Sequence, residues 1–376
     1  MNGSCSGFWR VDIFLNLLHH KPKDIETMDK KPIFALRLKQ ARLRARLTVA
    51  ETCKALGISR QSYTSYEQGV SMPGSQRLLK LQGFFHLTAE ELMRESHVAV
   101  SRLDFRKSYK FNKHDQEYVA ERIRDAMERR LETEGDLGIE ARPRLPKRMT
   151  ASSTADACRA AQAARAAWGI GSQPIMNMGR LLENMGIMVV MLRAGEGFDG
   201  VSGTETSTGR PFVALNTAVE PCERRRLTAG HELGHLCMDA VGEAKCREAM
   251  CHSFANELLL PSEVLSQFFE PGKPLLVSVL KDLQRTYGIS IRAIIVKLHE
   301  LGIFSDAAYR RFWVRLSKER QLREMLDRTE FSEEPVDAYG DLVRLAVKEH
   351  AYSPEYAARL LGVGTDELKA KEPKYV

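Results

Sequence analysis

Apolar residues at Phe34, Leu36, Leu38, Leu43 and Leu47 predict a first helix near the start of the chain. Thr48 is placed to cap a second helix through Leu56, Gly57 breaks it, and Ser59 caps a third, which gives the outline of a helix-turn-helix. Further along, Val119, Ile123, Met127 and Leu131 recur at spacing four on a strongly charged background and predict one long amphipathic helix. The prolines of "ARPRLPKRMTASS" then mark a domain boundary. "TADACRAAQAARAAWGI" and "MNMGRLLENMGI" have helical composition and period, whereas "MVVML" and "PFVALN" are short, apolar strand candidates. Between them "RAGEGFDGVSGTETSTGR" predicts turns around another short strand. Helices on a small sheet make an α+β unit.

Beyond residue 275 the pattern is helical, with Ser290 as a cap. "YSPEYAARLLGVGTDELKA" adds a helical pair, which reads either as a second DNA-binding unit or, preferably, as packing helices. The segments expected are 1–30, a disordered or upstream extension with no assigned function; 31–97, a helix-turn-helix domain; 98–150, a charged helical connector; 151–270, the α+β domain; and 271–376, a helical extension. The charged helix of the connector is open to two readings, a solvated spacer or a surface that pairs two chains into a homodimer.

The 376 residues suffice for several buried cores. The net charge of +7 invites a polyanionic partner. It finds a location in Arg37, Lys39, Arg42, Arg44, Arg46 and Lys54 around the helix-turn-helix, set against Glu51 alone, where such cations neutralise phosphates. The 7 cysteines are scattered and fit a reducing cytosol better than a disulfide framework. No stretch is long and apolar enough for a membrane span, so a cytoplasmic protein is expected.

In a helix-turn-helix the third helix enters the major groove with its N-terminal residues at the base edges. Arg60, Gln61, Ser62, Thr64 and Ser65 are the candidates on double-stranded DNA. Arg60 and Gln61 lead, because Arg and Gln form paired hydrogen bonds to one purine. The turn Leu56-Gly57-Ile58-Ser59, the stretch Tyr66-Glu67-Gln68-Gly69 and Pro73 resemble the Cro/C1-type (XRE) family over residues 33 to 95. The chain departs from that pattern at Val49, often Gln, and at Gln82, usually Ala.

"RRRLTAGHELGHLCMDA" carries the remaining chemistry. His231 and His235 lie one helical turn apart on one face, the spacing at which two imidazoles grip one zinc ion. Glu232, about 100° around the helix, is placed to take a proton from a zinc-bound water. A third protein ligand is required. Gly242 is expected to end this helix, and "CREAMCHSFANELLLP" begins another with a stripe through Cys251, Phe254, Ala255 and Leu258. Glu248, one turn before Cys251, is expected to face inward and is the preferred third ligand. Cys251 and His252 are rivals, as is a structural site built with Cys237 and Cys246.

"AAWGIGSQPIMNMGRLLENMGIMVV", "FDGVSG", "FVALN", "ERRRLTAGHELGHL" and "EAMCHSFANELLLP", in that order, resemble the ImmA/IrrE family of metallopeptidases. The resemblance implies a zincin-like α+β domain with His231, His235 and Glu248 as zinc ligands and Glu232 as catalytic glutamate. It also implies a repressor protein as substrate. Gly230 stands where Ala is usual, and Cys251-His252 where Ala precedes Asn or Asp. The whole chain is then expected to be mainly α, with a separate all-α helix-turn-helix domain. Its expected function is a DNA-binding regulator that is also a zinc endopeptidase, with "PFVALN" pairing with the substrate backbone. A repressor whose peptidase-like domain only senses a signal, and self-cleavage at "ARPRLPKR", are the other readings.

Overall fold

The computed structural model describes residues 30–96, 98–100, 103, 111–329, 331–332 and 336–370. The extension expected before the first helix lies outside the described residues apart from Lys30. The chain divides after Glu95 into two compact units.

The first unit holds α1 (Lys30–Arg44), α2 (Val49–Leu56), α3 (Arg60–Glu67), α4 (Ser75–Phe85) and α5 (Ala89–Met93). Thr48 caps α2 through a reciprocal bond with Glu51, and the Ser59 hydroxyl accepts from Ser62 N–H at the start of α3. Gly57, at φ +63°, makes the left-handed turn that an L side chain resists. Phe34, Leu38, Leu56, Ile58, Tyr63, Tyr66, Leu81 and Leu92 form the core. The first helix ends at Arg44, short of the expected Leu47, and Leu36 is exposed.

The second unit begins with α6 (Lys113–Asp136), then β1 (Met149–Ala151), α7 (Thr154–Ala167), α8 (Met178–Asn184), β2 (Met188–Leu192), β3 (Gly200–Thr204) and β4 (Pro211–Asn216). Next come α9 (Cys222–Cys237), β5 (Met238–Ala240), α10 (Ala244–Leu259), α11 (Ser262–Phe268), α12 (Val277–Tyr287) and α13 (Ile291–Glu300). It closes with α14 (Asp306–Lys318), α15 (Arg320–Asp327), α16 (Ala338–Lys348), α17 (Pro354–Leu361) and α18 (Thr365–Ala370). The chain is thus mainly α, with an all-α helix-turn-helix unit before an α+β unit.

The three-stranded sheet runs β2-β4-β3, with β2 parallel and β3 antiparallel to β4. Every residue of β4 is buried. The expectation that "PFVALN" pairs with substrate is therefore overturned: both edges of this strand are already hydrogen-bonded inside the sheet.

The charged helix α6 is not a free spacer. Val119, Ile123 and Met127 bury against Met188, Val190, Phe212 and Ala214 on one sheet face. Arg130 forms paired bonds to Glu183 at 2.7 Å, and Glu134 pairs with Arg210. The stripe offered for pairing two chains is covered by the sheet. The proline-rich stretch likewise belongs to this unit: Arg144 N–H bonds Met185 O at 2.8 Å, and Met149–Ala151 pairs with Met238–Ala240 as a parallel two-stranded sheet. On the other sheet face α7, α9, α10 and the helices α11 to α15 share the main core. The last three helices close a small cluster of their own around Val343, Ala357 and Leu368.

Candidate metal centre and nucleic-acid interface

Helix α9 passes between the sheet and α10, so its second half is buried on nearly every side. A buried polar side chain costs free energy unless it is satisfied, yet His231 and Glu232 are only 1% and 5% exposed. The helix ends at Cys237, five residues before the expected stop at Gly242, because the chain straightens into β5 and pairs with β1. Arg148, just ahead of β1, bonds the carbonyls of Leu236 and Met238 at 2.9 and 2.5 Å. Its cation sits at the negative end of the helix dipole.

Close approach of α10 brings in the third group. A Cβ on Gly230 would lie 3.1 Å from Ala255 Cβ, and one on Gly234 3.3 Å from Phe254. Gly230 therefore serves packing between two helices, where sequence alone reads it as a weak helix former.

The result is a triangle of donor atoms. His231 Nε2 and His235 Nε2 are 3.2 Å apart. Glu248 Oε2 is 3.3 Å from the former and Oε1 is 3.6 Å from the latter. A tetrahedral zinc with bonds of about 2.0–2.1 Å separates its donors by about 3.3 Å, so these side chains fit such an ion. Glu248 is half-buried, 39% exposed, and so does not face a closed interior as expected. It reaches the histidines from the open side of α10, and convergence rather than burial singles it out.

The rival residues are placed differently. His231, His235 and Cys251 also form a compact donor group, but Cys251 Sγ lies 3.4 Å from His235 Nδ1, the ring nitrogen on the far flank from the triangle. His252 is exposed, with its ring centroid 4.4 Å from that of His231. Cys246 is exposed on the first turn of α10, and Cys237 is buried in the core. None of the 6 cysteines among the described residues forms a disulfide.

Ser202, to which the sequence reading gave no role, completes the site. Its hydroxyl donates to Glu232 Oε2 at 2.8 Å. The strand period and the helix period match here: Gly200 meets Thr228, and Ser202, two residues on, meets Glu232, four residues on. A Cβ on Gly200 would sit 2.7 Å from Thr228 Cγ2, so glycine is what lets β3 approach α9. The signal in the sequence was the "GVSG" strand itself, with small residues flanking one hydroxyl.

These contacts lie inside a segment that matches a known family. Residues 182–299 match the Peptidase M78 family model, the IrrE N-terminal-like domain. The second unit carries an IrrE N-terminal-like domain. Residues 38–92 match a helix-turn-helix family model, and they include α2, the Gly57 turn and α3. No curated protein matches the chain. The IrrE N-terminal-like match covers α9 and α10 whole, hence every side chain of the triangle, and also β3 with Ser202.

In the helix-turn-helix domain Arg60 and Gln61 stand exposed on the first turn of α3. Ser62, Thr64 and Ser65 are half-buried. The Ser62 hydroxyl bonds Ser59, and that of Ser65 bonds Ser71, each at 2.9 Å. Of the cations offered to phosphate, Lys39, Arg46 and Lys54 are exposed. Arg37 and Arg42 are not available: both are buried, Arg37 on the carbonyls of Arg94 and Glu95, Arg42 in a paired bond to Glu67. A buried guanidinium needs such partners, and these two hold α1 to its neighbours.

Proposed function

We propose that this chain is a DNA-binding transcription regulator whose IrrE N-terminal-like domain is a zinc-dependent endopeptidase, with a repressor protein as substrate. The convergence of His231 Nε2, His235 Nε2 and the Glu248 carboxylate carries the proposal, with Glu232 next to His231 along α9. His231, His235 and Glu248 would hold the ion. When bound, zinc supplies Lewis-acid polarisation of the peptide carbonyl and lowers the pKa of water.

The protein's own groups do the rest. Glu232 takes a proton from the attacking water and returns it to the leaving amine nitrogen, so that one water and one peptide bond yield a carboxylic acid and an amine. Ser202 fixes one oxygen of that carboxylate, which limits the positions from which the proton is taken. Among the described residues β3 is an edge strand of its sheet, bridged just past its end where Val100 meets Glu205, and it carries Ser202, so an extended substrate would add to β3 rather than to the interior strand β4. The substrate class comes from the family resemblance, and the attached helix-turn-helix ties any cleavage to gene control. On DNA, Arg60 and Gln61 would read base edges while Lys39, Arg46 and Lys54 meet phosphates. A cytosolic setting suits both activities. No helix among the described residues is long and apolar enough to cross a membrane.

The test pairs zinc analysis with incubation of wild type and Glu232→Gln beside candidate repressor proteins from the same cell. Zinc in both proteins, with cleavage reduced about 10²–10⁴-fold in the variant, is the expected result. Zinc in both without cleavage by wild type, together with specific DNA binding, would make the domain a sensor instead. Cleavage of the chain itself at "ARPRLPKR" would have to displace a segment held by Arg144 and Arg148, and wild type is expected to stay intact.

A further inference from the structure

We propose that Cys251 is a positioning residue: its thiol holds the His235 ring so that Nε2 aims at the metal, and its sulfur is not a ligand. This rests on the metal site proposed above.

An imidazole carries its two nitrogens on different flanks of the ring. His235 Nε2 faces His231 Nε2 at 3.2 Å and Glu248 Oε1 at 3.6 Å, so the lone pair that binds metal belongs on that side. A neutral ring then keeps its proton on Nδ1. Among the described residues the hydrogen-bond contact of Nδ1 is Cys251 Sγ at 3.4 Å. In that tautomer the ring N–H donates and the sulfur accepts. A partner on the outer nitrogen of a metal-binding histidine fixes its tautomer and its orientation. Carbonyls and carboxylates usually do this, and here a thiol occupies the place.

The fold makes the arrangement from one helix. Glu248 and Cys251 are successive members of one face of α10, so that helix sends a carboxylate to the Nε2 side of His235 and a sulfur to its Nδ1 side. The thiol is completely buried, 0% exposed, and packing around Gly230 and Gly234 fixes the distance between α9 and α10. The sulfur meets His235 on Nδ1, whereas His231 and Glu248 meet it on Nε2. Because donor atoms of His231, His235 and Cys251, one from each, also lie within 4.8 Å of one another, the test must separate a positioning thiol from a ligand.

Zinc affinity, measured by chelator competition on the full chain, separates the roles. Cys251→Ala is expected to bind zinc about 10–100-fold more weakly, and Cys251→Ser to recover part of the loss because a hydroxyl also accepts. Cobalt-loaded wild type is expected to show no thiolate-to-metal charge-transfer absorption. Metal-free wild type is expected to hold His235 in the Nδ1-protonated tautomer, read from its ring ¹⁵N shifts, which needs no variant to fold. A folded Cys251→Ala protein with wild-type zinc affinity would overturn the inference, as would a charge-transfer band or an Nε2-protonated His235 in wild type. Wild type that takes up no zinc overturns the proposed metal site and this inference together, whereas equal uptake by wild type and Cys251→Ala overturns this inference alone.

Discussion

Arg42 and Arg46 are identical in kind, four residues apart, and differently placed, the first buried and the second exposed. Arg42 is 5% exposed and pairs with Glu67, which also makes it a tie between α1 and α3. Arg42→Ala removes the cation from the half-buried Glu67 carboxylate, which keeps Tyr63 as a partner, and is expected to cost about 1–3 kcal/mol of stability in the first unit, measured by urea denaturation. Arg46→Ala is expected to leave stability within about 0.5 kcal/mol while the slope of log affinity against log salt falls by about one. Equal effects of both on the salt slope would refute the division. The thiols divide in the same way. Burial pushes Cys237 up to about 12 and Cys158 up to about 11, so both stay protonated at neutral pH. Alkylation of the native protein near pH 8 should label exposed Cys246 and spare Cys237 until unfolding, as peptide mapping would show.

Between elements, two contacts organise the second unit. The first is the seam of α9 on α10. Gly230→Leu forces a side chain into a gap that a Cβ already narrows to 3.1 Å. It is expected to cost roughly 1–3 kcal/mol by overpacking and to lower zinc content, because Glu248 moves with α10. A Gly230→Leu protein with unchanged melting temperature and full zinc would contradict the seam's role. The second is the Lys297–Glu257 pair, 2.6 Å long and almost wholly buried, which ties α13 to α10. Burial alone would raise the Glu257 carboxyl, but the Lys297 charge and bonds from Lys297, Ser262 and Gln162 outweigh it and leave the group below its ordinary value. A carboxylate depressed in the fold contributes stability above its unfolded pKa and loses it as pH falls through the folded one. Burial also lowers Lys297, so the comparison with Glu257→Gln isolates the carboxylate's share. Acid titration of stability should therefore be steeper for wild type than for Glu257→Gln below about pH 4–5; equal slopes would remove Glu257 from the account.

For the whole molecule, the division after Glu95 makes each unit a separate test. A fragment of residues 30–96 has its own core and is expected to fold and bind DNA, with Arg60→Ala and Gln61→Ala each costing about 1–3 kcal/mol at one operator position. A fragment from residue 96 onward is expected to retain zinc. Loss of folding in either fragment, seen by circular dichroism, would mean the cores are not independent. The last helices bury Val343, Ala357 and Leu368 among themselves. Asp366 and Glu367 occupy the first turn of α18, where a DNA reader would gain from cations, which accords with packing helices rather than a second DNA-binding unit.

Local signals were enough wherever the cause was local. Thr48, Ser59 and Ser290 cap the helices they were expected to cap, because a hydroxyl meets a backbone N–H within three residues. His231, Glu232 and His235 were legible because helical period alone puts them together. Tertiary structure decided what depends on chain that is distant in sequence. It ended α9 early, because β5 finds β1 some ninety residues upstream, and it turned the charged helix α6 into a cover for the sheet. It also buried two of the arginines expected on phosphate, set β4 in the interior of its sheet, and brought Ser202 to Glu232 and Cys251 to His235. Sequence spacing fixes which side chains share a face; only the packing of one element on another fixes which atoms come within bonding distance.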